Sequence, residues 1–146
     1  MTRCAECSAE YQGDDSCAGR FARLLALDHS REEPWGSRHG QAFAAFALQH
    51  PERHAASLDH AWAVLYRIYV AAAPPADTFR AVIDRRGAIP DEWGTPPRPT
   101  RRRHDPAVTI ADLGDFAAAG YPAALDAWCR AGLASWGAGP LPVEDA

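Results

Sequence analysis

Lysine is absent from this chain of 146 residues, so all fifteen basic side chains are arginine, set against nineteen aspartates and glutamates. The formal net charge of −4 excludes a general electrostatic attraction to nucleic acid. An all-arginine basic set beside an excess of alanine reads as the imprint of a GC-rich coding sequence and carries no functional message. No apolar run approaches the roughly 20 residues of a membrane span. The first residues, Met1 to Cys7, hold no apolar core of a signal peptide. A cytoplasmic, reducing location is therefore expected, where four cysteines point to metal binding or reactivity rather than to disulfides. There is no glycine-rich phosphate loop, no internal repeat and no alternating strand pattern longer than a few residues. What remains is helical periodicity, and the expected fold is all-α: an irregular bundle of five to six helices behind an N-terminal Cys-rich metal knuckle. Residues 1–137 form one helical domain and 138–146 a Gly/Pro-rich tail expected to be flexible.

Taken in order, Cys4-Ala-Glu-Cys7 and a polar stretch to Ser16 read as a knuckle and loop, residues 1–16. Asp15 or Ser16 can cap a first helix from Cys17 to about Leu27. Its face holds Cys17, Phe21, Leu24, Leu25 and Asp28. A second helix is expected from near Trp35, with Trp35, His39, Ala42, Phe43, Phe46 and His50 on one stripe and Pro51 ending it. That stripe turns both histidines toward the core. A third helix begins near Ser57 and carries Leu58, Trp62, Leu65, Tyr69 and Ala72, until Pro74-Pro75 stops it. A fourth spans about Asp77 to Arg86, with Phe79, Val82 and Ile83 inward and Gly87 at its cap. Five prolines and the run Arg101-Arg102-Arg103 make 88–108 a surface loop without regular structure. Thr109-Ile110-Ala111-Asp112 resembles a capping box opening a short helix to about Ala118. After Gly120, Pro122 starts the last helix, with Leu125, Trp128, Cys129, Gly132, Leu133 and Trp136 on one face.

The chemistry lies in the cysteines and histidines. Cys4-x-x-Cys7 places two thiolates where one cation can take both, and Cys17 adds a third. In an antiparallel pair of helices the end of the second returns to the start of the first. That brings His50 to Cys17 and leaves His39 about 16 Å away at 1.5 Å per residue. The expected ligands are Cys4, Cys7, Cys17 and His50, with Zn2+ as the ion and His54 and His60 as reserve or supporting groups. The competing reading makes Cys17 a small buried apolar residue and His50 a core histidine bonded to a carbonyl. Four protein ligands make a structural zinc, whereas three and a water make a catalytic one, with Glu52, His54 or His60 as base. His29 and His39, with Glu32 and Glu33 between them, gather at the opposite end as a second pocket or a solvated turn. The arginine run reads as a solvated loop, and Cys129 as packing.

These residues resemble an uncharacterised family of small bacterial proteins, a domain of unknown function. The resemblance rests on Cys4 and Cys7, Cys17, His39, Gln49-His50-Pro51, Thr109-Ile110-Ala111-Asp112, and Trp128 with Trp136. Ser8 stands where the family pattern has glycine, and Tyr121 where it has histidine, so no ligand role is carried to position 121. The resemblance implies the Cys/His constellation and brings no activity. Two functions are consistent with these residues. One is a zinc-stabilised helical protein that binds an unknown small molecule or protein, with no membrane partner expected and nucleic acid disfavoured by the charge. The other is a metal-dependent enzyme, a hydrolase or a member of a small biosynthetic pathway, with an open zinc near His50.

Overall fold

The computed structural model describes residues 1–138; the tail expected to be flexible lies, from residue 139 on, outside the described residues. Five α-helices carry the fold: α1 Cys17–His29, α2 His39–Gln49, α3 Leu58–Tyr69, α4 Pro75–Asp84 and α5 Tyr121–Ser135. An antiparallel ribbon pairs β1 (Thr2–Arg3) with β2 (Glu10–Tyr11), Thr2 opposite Tyr11. Its strands are two residues each, too short for alternation to register in the sequence. No helix among the described residues is long and apolar enough to cross a membrane.

Helix α2 is the axis of the bundle and packs mainly on α3 and α5. Ala42, Ala44, Ala45 and Ala47 are all buried, and such small side chains let neighbouring helices cover it on nearly every side. Gly40, at its start, lies against the Phe79 ring of α4, and a Cβ there would clash with that ring. Helix α2 starts four residues later than Trp35, because Gly36–Arg38 forms a 3-10 turn first. At the other end His50 leaves the helical region (φ −128°, ψ 63°), as a residue before proline is driven to do. The carbonyls orphaned there find donors from distant elements. Trp136 Nε1 donates to the Leu48 oxygen at 2.9 Å, and Arg102 reaches the Gln49 oxygen. Gln49, fully buried, accepts from Trp128 Nε1 at 3.0 Å and donates to the Val108 carbonyl at 2.8 Å.

Helix α1 is capped by Ser16, whose hydroxyl accepts from the Gly19 amide at 3.0 Å. Helix α4 starts at Pro75, with proline in the first turn. Helix α3 ends at Tyr69, short of the stop expected at Pro74-Pro75, and Ala72, expected on its stripe, is exposed and takes a positive φ of 58° that breaks the helix. Thr78 and Val82 form its buried face, whereas Ile83 is 74% exposed, contrary to the inward position expected. A helix resting on the core along so narrow a strip leaves the next residue round in water.

The capping box at Thr109 forms, with Thr109 N donating to Asp112 Oδ2 at 2.9 Å. The helix expected after it stops at Leu113, as a single 3-10 turn, because Gly114 and Phe116 both take positive φ. The proline-rich segment 88–108 has one 3-10 turn, Asp91–Trp93, and is fastened along its length. Trp62 Nε1 donates to the Pro96 carbonyl at 2.8 Å, Arg98 pairs with Asp59 at 3.0 Å, and the Arg103 amide donates to the Ser135 carbonyl. Its arginines are therefore in part structural, not a solvated patch.

Candidate metal centre

The ribbon exists to turn the chain tightly around the first two cysteines. Cys4 N donates to the Ala9 carbonyl at 2.8 Å and Ser8 N to the Cys4 carbonyl at 3.0 Å. The turn requires a left-handed residue at Ser8 (φ 68°), where glycine would be unstrained. The serine side chain offsets the strain by donating to Asp105 Oδ2 at 2.8 Å. Glu6, between the cysteines, accepts from the Glu52 amide at 2.7 Å and ties the knuckle to the turn after α2. Arg102 donates to the Glu6 carbonyl from the other side while holding Gln49.

Cys17 opens α1 and His50 closes α2, and the antiparallel course of the two helices brings them together. Phe21 stacks on Phe46 at 4.0 Å between ring centroids, and Phe46 on His50 at 4.0 Å. The result is a group of four donor atoms that could hold a metal ion, one each from Cys4, Cys7, Cys17 and His50, all within 4.8 Å of one another. Cys7, Cys17 and His50 are buried and Cys4 is partly exposed. A cavity of about 190 Å³ adjoins Cys4, Cys17 and His50, with Arg3, Asp15 and Arg53 on its walls.

The donor set suits a soft, borderline cation in its chemistry as well as its spacing. His50 Nδ1 lies 2.8 Å from the Phe46 carbonyl, which can only accept, so the proton sits on Nδ1. Nε2 is then a bare lone pair, buried and without a hydrogen-bond partner. A histidine fixed by a backbone carbonyl through one nitrogen and free at the other is the usual form of a metal ligand. Both halves of the sequence alternatives are thus present at one residue: His50 is carbonyl-bonded, and it still has a ligating nitrogen.

The thiols are strongly coupled. Cys7 and Cys17 sulfurs lie 3.5 Å apart, and the Tyr11 hydroxyl is 2.9 Å from Cys17 Sγ. Sharing a proton with Cys17, then burial, pushes Cys7 up to about 12. The same bond from Cys7, with help from Tyr11, lowers Cys17. Cys17 is therefore the readier thiolate and Cys7 the one a cation must deprotonate. Tyr11 was not singled out from sequence, and Arg102 only as part of an arginine run read as a solvated loop. Tyr11 acts through a ribbon too short to predict, and Arg102 through carbonyls that only the fold brings near.

The other histidines separate. His54 sets its edge against Phe43 and Phe46, with ring centroids at 5.6 and 5.4 Å, and burial lowers its pKa. His60 lines a cleft with Trp62 and Arg98. Neither belongs to the group of four. Glu52 is exposed. At the opposite end of the helix pair, His39 Nδ1 lies 3.0 Å from Asp28 Oδ2, and the His29 and His39 rings are 5.5 Å apart. The His39 side chain is 43% exposed, so the inward stripe holds fully only at its His50 end. Cys129 is buried under α2 and its thiol is pushed up to about 12 by desolvation, which fits packing.

No curated protein and no solved structure matches the chain. A family model does, over residues 2–137, a span that takes in the knuckle, the Gln-His-Pro turn and the tryptophan-bearing α5: the chain belongs to DUF5946, a family of unknown function.

Proposed function

We propose that Cys4, Cys7, Cys17 and His50 hold one structural Zn2+, and that the protein is a small cytoplasmic zinc-stabilised helical domain that binds a small molecule or a protein partner. The observation carrying this reading is the buried, unpartnered Nε2 of His50, set among three sulfurs within 4.8 Å. A lone pair withdrawn from water without a partner is costly, and a cation is the acceptor that three thiols can share with it. When bound, zinc would supply cross-linking: it would join the ribbon, the start of α1 and the end of α2. Cys17 gives its charge with the Tyr11 hydroxyl behind it, and Phe46 fixes the His50 ring by stacking and by its carbonyl. Four protein donors leave no position for a reactive water, which favours the structural role over an open, catalytic zinc. The adjoining cavity and the partly exposed Cys4 are what support the enzymatic alternative.

The test is metal content together with the X-ray absorption edge of the isolated protein. One zinc per chain, in a shell of three sulfurs at about 2.3 Å and one nitrogen at about 2.0–2.1 Å, is the expected result. A shell with two sulfurs and added oxygen would transfer the case to the catalytic reading. A protein purified without chelator that carries no metal would end both.

A further inference from the structure

The far end of the α1–α2 pair holds a second group that folding alone does not explain. Asp28 sits at the last turn of α1, where the helix dipole disfavours a carboxylate. Its side chain is completely buried. One oxygen meets His39 Nδ1 at 3.0 Å, and the other has no hydrogen-bond partner. The Tyr121 hydroxyl is likewise buried and unpartnered. Burial, and then the charge of Asp28, push its pKa up. A core selected for stability alone would replace such groups with apolar ones.

The arrangement has a use, however. Burial raises the Asp28 pKa and the contact with His39 opposes that rise. As a carboxylate Asp28 only accepts, so its bond fixes the His39 proton on Nδ1 and leaves Nε2 with a lone pair. The side chain is 43% exposed, so that nitrogen lies within reach of solutes. A buried carboxylate behind a half-exposed imidazole is the pairing that orients a metal-binding histidine and raises its basicity. A second imidazole stands beside it: His29, exposed at the end of α1, with its ring centroid 5.5 Å from that of His39 and tilted by 50°. Two imidazoles sharing one cation at about 2.0–2.1 Å have ring centres roughly 5–6 Å apart.

We propose that His29 and His39 form a second cation site, with Asp28 as the positioning residue behind His39, taking a divalent first-row transition-metal ion whose remaining positions are filled by water or an oxygen-donor ligand. This site is independent of the cysteines. It differs from them in hardness, in exposure and in having open positions, and an open position is what Lewis-acid chemistry needs.

Co2+ is the probe, titrated into the protein as purified and followed by calorimetry, visible absorption and the imidazole proton signals. Cobalt bound to thiolates gives intense sulfur-to-metal charge transfer, whereas cobalt at two imidazoles gives only weak bands. Failure at one end therefore cannot imitate failure at the other. The expected result is a saturable equivalent without charge transfer that broadens the His29 and His39 ring protons. His29→Ala, a change at an exposed side chain that keeps the fold, should abolish it. Asp28→Asn should weaken it about 10–100-fold, the usual effect of losing the partner behind a ligating histidine, while binding at the cysteines is unchanged. The proposal is overturned if no such equivalent binds, or if it binds equally well to the His29→Ala and Asp28→Asn proteins.

Discussion

The two ends of the α1–α2 pair make opposite use of one geometry. At one end three sulfurs and a buried imidazole converge within 4.8 Å, backed by a tyrosine hydroxyl and a backbone carbonyl. At the other, a buried carboxylate backs one half-exposed imidazole and a second stands free. The first end is enclosed by the ribbon and clamped by Glu6 and Arg102. The second is less closed: His29 is exposed and His39 half-exposed, although Phe79 of α4 packs against the neighbouring Gly40. The difference teaches that helix pairing brings residues to the same end, but the elements outside the pair decide whether a site there is closed.

The largest expected effect lies at the enclosed end. Cys7→Ser should lose the proposed zinc and with it about 4 kcal/mol, the linkage expected when free metal stands roughly 1,000-fold above Kd. His50→Ala should do the same, since the buried Nε2 is the fourth donor. Melting with and without chelator measures both. If either variant melts like the wild type and keeps its zinc, the two ends do not differ in the way described.

Next in size is His39→Ala. It leaves the Asp28 carboxylate buried without its partner, at a cost of about 1–3 kcal/mol, yet zinc content should stay at the wild-type level. Zinc loss on this substitution would mean that the two ends are one cooperative unit. Smaller still is Arg102→Met, which keeps the aliphatic stem but removes the donors to Glu6 and Gln49. A loss of about 1 kcal/mol and faster zinc release to a chelator are expected, because the clamp closes the knuckle against α2. Unchanged release would show that the ribbon closes the site by itself.

Much of this was legible in the sequence, and the limits have physical causes. The helices followed from apolar spacing, and α5 has its expected face buried residue for residue, because a long stripe against a full core leaves little freedom. The pairing of Cys17 with His50 came from helix direction and rise alone. Helix starts were less legible: Trp35 has the right spacing, but the chain spends Gly36–Arg38 in a tighter turn before α2. The helix expected after Thr109 has a real cap and no continuation, since caps are local while the positive φ at Gly114 and Phe116 answers to where α5 must begin. Asp28 was visible on the stripe of α1, but nothing in a pattern of spacings tells a buried carboxylate from one at the edge. Arg102 was read as solvated because its acceptors are main-chain carbonyls, which every residue has and no sequence marks.

The smallest expected effect concerns His60, which serves as a control for the histidines at both ends. It is half-buried on the cleft beside Trp62 and Arg98, and its ring makes no hydrogen bond among the described residues. Burial alone lowers its pKa below the ordinary 6.5, without a carbonyl or carboxylate to hold it. The folded chain therefore binds this proton less readily than the unfolded chain does. Above pH 6.5 both states carry a neutral ring and the stability is unaffected. As the pH falls through 6.5 the unfolded chain protonates first, and stability drops until the folded value is passed. Replacing the ring by the uncharged amide in His60→Gln should remove that part of the slope. Urea unfolding at about pH 5.5 and about pH 7.5 should show wild type losing more stability on acidification than the variant. Every other ionisable group is the same in both proteins, so its contribution cancels in the difference. Equal losses would mean that His60 reaches water freely in the folded chain, and the cleft beside α3 would then be open where the structure has it half-closed.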